Sequence, residues 1–84
     1  MSDEVRTDEE KAQMYSAMKD GANVITSVLD ADNEYFNAMT NAEKKEIVMR
    51  SAGYLEFGVA LKDWGSEDFT AINSAIAAAK AYSA

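Results

Sequence analysis

The sequence predicts an all-α fold, a small three-helix bundle with a short helical corner between helices 1 and 2. Three observations carry this. Apolar residues recur at three- and four-residue intervals and do not alternate, proline is absent, and cap-type residues punctuate the chain at a few points. Eighty-four residues make one domain, with 1–6 expected to fray and 7–84 expected to form the helical unit.

The first helix is expected to open at Thr7. Glu10 stands three residues later, the spacing of a capping box, and Asp8, Glu9 and Glu10 crowd the first turn, where the helix dipole favours acids. Met14, Met18, Ala22, Ile25 and Leu29 then fall on one face, flanked by Tyr15, Gly21, Val24 and Val28. Gly21 lies on that apolar arc, where alanine would be the better helix former, so close approach by another backbone is expected there.

The run "DADNEYFNAMTN" from Asp30 to Asn41 reads as a corner of one or two helical turns, with Tyr35, Phe36 and Met39 folded under the bundle. Asp30, Asp32 and Glu34 alternate as in a calcium loop. Tyr35 and Asn41 occupy the positions where that loop needs glycine and a bidentate glutamate, so turn and cap roles are the better reading.

Thr40 and Glu43 repeat the capping-box spacing and open a second helix, expected over 41–64. Ile47, Tyr54 and Leu61 share one face, adjoining Phe57 and Trp64; Val48, Ala52, Leu55 and Val59 form another. Met49, Gly53 and Ala60 lie on much of the remainder. Two neighbours cannot cover a helix apolar on so many sides, so either the aromatic corner or another chain supplies the missing cover. Gly65 is expected to end this helix and Ser66 to cap the next, with Glu67 and Asp68 in its first turn. In the last helix Phe69, Ile72, Ile76 and Ala79 form a stripe of larger residues. Ala71, Ala75, Ala78 and Tyr82 form a flatter one beside it, so this helix can pack on two things at once.

The composition excludes several functions. No histidine and no cysteine are present, which removes the usual nucleophile–base pairs and zinc sets, and no glycine-rich phosphate cradle follows a strand. Glu56 and Asp63 lie two turns apart on one line with Lys45, but a narrow polar strip is a solvated edge more often than an acid–base site. Tyr54, Phe57 and Trp64 could stack a ligand, although aromatic core is the better reading. We expect no enzyme, no cofactor and no metal.

The net charge is −7, without a cluster of Lys and Arg for phosphate contacts, so direct nucleic-acid binding is not expected. The acids are scattered and form no dense stripe that would imitate DNA. No apolar run is long enough to span a bilayer, and the acidic start is unlike a targeting signal, so a cytoplasmic protein is expected.

Residues 54–82, through Leu55, Glu56, Leu61, Lys62, Asp63, Trp64, Glu67, Asp68, Ile72 and Ile76, resemble the ends of small uncharacterised proteins encoded by tailed bacteriophages. The resemblance implies a phage accessory or assembly protein that works by contact, on itself or on a host protein. It supplies no catalytic residues. The resulting expectation is a non-enzymatic interaction or assembly module that forms homo-oligomers or binds a host protein. Ala71, Ala75, Ala78, Tyr82, Met49, Gly53, Ala60 and Trp64 are the interface candidates. The alternative is an acidic phage-type inhibitor that occupies a basic site on a host protein. A third class, carriage of a small ligand between the helices, requires a dry internal pocket.

Overall fold

The structure, a computed structural model, describes residues 6–61, 64, 65 and 67–84. Among them are four helices and no strand: α1 (Asp8–Val28), α2 (Glu34–Asn37), α3 (Asn41–Val59) and α4 (Thr70–Ser83). The three long helices pack on one another pairwise, and α2 forms the corner between α1 and α3. The all-α bundle read from the sequence is therefore the fold.

Both capping boxes form. Thr7 Oγ1 accepts from the Glu10 amide at 3.1 Å while Glu10 Oε1 accepts from the Thr7 amide at 2.8 Å. Thr40 and Glu43 make the same pair at the same distances. Each box satisfies two amide donors that a helix start would otherwise leave orphaned.

The core is a single cluster. Met18, Ile25 and Val28 of α1, Val48 and Leu55 of α3 and Ile72 of α4 are its largest fully buried side chains, with Ala22, Ala52, Ala75 and Ala79 filling between them. Helix α4 reaches both α1 and α3, so its two apolar stripes are both used inside the chain. At Gly21 no other backbone comes close; the neighbour is the Leu55 side chain, whose Cδ2 would lie 3.3 Å from an added Cβ. At Gly58 the approach is closer still, with 2.7 Å to Met18 Sδ.

The corner corrects one expectation. Phe36 packs against the core, whereas Tyr35 is 70% exposed and meets Phe36 edge to face at 4.9 Å. Adjacent residues of one helical turn point about 100° apart, so a single turn can fold only one of them under the bundle. Asp30 Oδ1 accepts from the Asp32 amide and Asn33 Oδ1 from the Phe36 amide, which makes these oxygens turn and cap groups.

The connection after α3 corrects two more. The helix ends at Val59, not at residue 64, because its last carbonyls find other donors. Gly58 O accepts from the Leu61 amide at 3.2 Å and from the indole Nε1–H of Trp64 at 2.8 Å. In a continuing helix the same oxygen would serve the amide of residue 62. Gly65 is not a left-handed cap, since no described glycine has positive φ; its amide donates to Glu67 Oε1 at 3.0 Å. The Ser66 cap falls outside the described residues. The residue at the N-cap of α4 is Phe69, with no side-chain cap bond; just before it Asp68 Oδ1 accepts from the Thr70 amide at 2.9 Å and from its hydroxyl at 2.6 Å, a turn that leads into the helix. Glu67 and Asp68 consequently precede α4 and do not form its first turn. Those two hydrogen bonds, the hydroxyl's first, hold the Asp68 carboxyl below the usual carboxylate range.

Residues 1–5 of the expected frayed terminus lie outside the described residues. Arg6 is placed, with its guanidinium 4.6 Å over the Trp64 ring and a contact to Met14 Sδ.

Candidate interaction face of the third helix

Helix α3 buries one arc and leaves the other bare. Val48, Ala52, Leu55 and Gly58 face α1 and α4. On the opposite side Met49 is 43% exposed, Tyr54 47% and Phe57 67%, with Gly53 and Ala60 exposed beside them. Met49, Gly53 and Phe57 are spaced by four residues each, so they form one row along the helix. A shallow groove of about 440 Å³ continues the row toward the helix start, lined by Asn41, Ala42, Lys45, Glu46 and Met49.

Charged groups frame this row. Glu56 pairs with Lys80 of α4 at 2.5 Å, both side chains half exposed, so the pair tethers the two helices only weakly. Lys44 lies on the other side of the helix, where its Nζ donates to Asn37 Oδ1 of α2 at 3.2 Å. Arg50 makes no ion pair among the described residues. Of the Glu56 and Asp63 pair, Glu56 is turned to Lys80 of α4, and Asp63 falls outside the described residues.

The structure divides the eight interface candidates. Met49, Gly53 and Ala60 lie on the bare arc of α3, and Ala71 is exposed on α4. Ala75 is 2% exposed, wedged within the chain's own core, and has no surface to offer a partner. Ala78 is half-buried, and Tyr82 packs against the core with its hydroxyl donating to Asn41 Oδ1 at 3.3 Å. The flat alanine stripe is therefore used mostly inside the bundle, a correction that follows from α4 touching both other long helices.

Trp64 is likewise occupied. It left the helix on which the periodicity placed it and joined a cluster of edge-to-face rings, 5.2 Å from Phe69 and 6.4 Å from Tyr15, with Tyr15 and Phe69 5.5 Å apart. The Tyr15 hydroxyl donates to Asp68 O at 2.5 Å and ties this cluster to α1. These aromatic contacts brace the connection between α3 and α4.

Tyr54 and Phe57 correct the aromatic-core reading: both are exposed, and Phe57 is the most exposed large apolar side chain of α3. The four-residue spacing from Met49 through Gly53 is the signal that would have found it. No protein-family model, no curated protein and no solved structure matches the chain.

Proposed function

We propose that this protein is a non-enzymatic protein–protein interaction or assembly module, and that the bare arc of α3 is its contact surface. One observation carries the reading: a helix that already buries its inner side keeps Met49, Tyr54 and Phe57 in water on the other. Large apolar side chains grouped on one exposed face mark contact sites more often than idle surface. The resemblance of residues 54–82 to phage proteins supports an accessory or assembly role in a phage-infected cell. The cysteine-free sequence fits the cytoplasm of that cell.

Affinity capture from the source cells, compared between the wild-type chain and a Met49→Glu, Phe57→Glu double variant, tests this. Both substitutions are at exposed positions, so each should change folding stability by no more than about 0.5 kcal/mol. Loss of the captured partner with an unchanged melting curve is the expected result. Equal capture by the folded double variant would refute the assignment.

A second reading is favoured by the distribution of charge. Lys44, Lys45 and Arg50 balance Glu43, Glu46 and Glu56 within α3, so the net −7 resides on the rest of the chain. That acidic remainder fits the inhibitor alternative, in which it occupies a basic site on a host protein. Such capture would weaken steeply with salt, because exposed charges are screened within about 10 Å at 0.1 M. Capture through α3 would not.

A further inference from the structure

We infer that the occupant of the bare α3 arc is a second copy of this chain, packed antiparallel across a two-fold axis at Gly53; this rests on reading that arc as a contact surface. The three glycines inside helices supply the first argument. Glycine weakens a helix relative to alanine, so each calls for a reason. Gly21 and Gly58 have theirs inside the chain, against Leu55 and Met18. Gly53 has nothing within 4 Å of a would-be Cβ, yet it lies midway between Met49 and Phe57 on the outward row. A point without a side chain in a row of large ones lets a second helix approach closely there.

Charge permits a second copy, and the helix dipoles set its direction. Two chains of −7 repel across most of their surfaces, but α3 is balanced. On the outward side Lys45 and Arg50 offset Glu43 and Glu46, and Glu56 is already paired with Lys80, so little net charge opposes a second copy there. Antiparallel packing opposes the two helix dipoles.

The row is self-complementary under that operation. Met49 and Phe57 are equidistant from Gly53, so the axis brings Met49 of each copy level with Phe57 of the other, in the isologous pattern of a two-fold dimer. Arg50, which lacks an ion-pair partner among the described residues, comes beside the aromatic rings of the second copy, where a cation is attracted to the ring face. A 19-residue helix is about 28 Å long and the molecule is 20 Å across, so each copy covers on the order of 500 Å². That is at the small end of specific interfaces, so reversible association in the micromolar range is expected.

Sedimentation velocity of the full chain from about 1 µM to about 300 µM gives the first test, spanning the range where such a Kd is read. A monomer–dimer equilibrium is expected. Gly53→Ala should raise the melting midpoint of the dilute monomer while weakening dimerisation at least tenfold, two opposite signs from one methyl group. Because the chain has no cysteine, Gly53→Cys gives a single reporter, and the axis places its two copies within disulfide reach, about 4–7 Å between Cα atoms. It should oxidise to a covalent dimer much faster than Ala31→Cys, an exposed position in the α1–α2 corner. Met49→Lys and Phe57→Glu should each abolish association and recover it when mixed.

A chain that stays monomeric throughout overturns the second copy. The contact-surface reading then stands or falls separately, by whether the Met49→Glu, Phe57→Glu variant loses partner capture. A dimer indifferent to Gly53→Ala, or cross-linked equally well from position 31, overturns the axis and the assignment of self-association to α3.

Discussion

Replacing Gly58 by alanine sets two known effects against each other. Alanine gains about 1 kcal/mol of intrinsic helix propensity over glycine. Its Cβ, however, would stand 2.7 Å from Met18 Sδ, 2.8 Å from Cε and 3.4 Å from Cγ. Met18 is fully buried, so its thioether must displace core neighbours and cannot swing into water. Overpacking of this kind costs typically 1–3 kcal/mol, which outweighs the propensity gain. A net loss of about 1 kcal/mol is expected, or about 4–8 °C in melting midpoint for a chain of this size. Urea titration followed by circular dichroism measures it, with dilute Gly53→Ala as the internal reference. That variant meets no neighbour and should gain about 0.5–1 kcal/mol. Met18→Val removes both colliding atoms, so the Met18→Val, Gly58→Ala pair should be less destabilised than the sum of its singles by at least about 0.5 kcal/mol. Equal stabilisation by Gly58→Ala and Gly53→Ala, or strict additivity of the pair, would refute the packing of α1 on α3.

Ala75→Glu should unfold the domain, since it buries an unpaired carboxylate between helices at a cost of several kcal/mol; retained helicity at 25 °C would contradict the placement of α4. Trp64→Phe keeps the ring contacts but removes the indole donor to Gly58 O, so a loss of roughly 1 kcal/mol is expected by chemical denaturation. The Asp68 carboxyl is held below its ordinary value of 3.8 by the Thr70 hydroxyl and amide. A depressed folded-state value stabilises the fold above the ordinary value, and the effect is lost as pH falls through the lowered one. Carbon-detected titration of Asp68 should show this low value, and Thr70→Val should return it toward 3.8.

The features legible in the sequence were those set by neighbours a few residues apart. Thr7 with Glu10 and Thr40 with Glu43 announce helix starts because both partners of each hydrogen bond lie within one turn. Gly21 announced the approach of another backbone, but what comes close is the Leu55 side chain, so only the tight spot and not its cause was legible. The end of α3 was not legible, because it depends on Trp64 folding back onto a carbonyl six residues earlier, a choice that no local propensity encodes. The Ala75 stripe and the Met49 row are equally small-to-apolar in sequence. Only the position of α1 decides that the first is core and the second is surface. Periodicity counts apolar sides of a helix, while burial depends on how many neighbours arrive and from which direction.

Footprinting by hydroxyl radicals tests the central claim most directly, because Met49 and Met18 respond to the same reagent from opposite environments. In the dilute chain Met49, Tyr54 and Phe57 should be modified rapidly and the buried Met18 slowly. In tagged protein treated inside the source cells, before lysis, the three α3 side chains should become protected while exposed Tyr35 on α2 stays reactive. Undiminished modification of Met49 and Phe57 in the cell would contradict an account in which the outward arc of α3 is the surface by which this protein works.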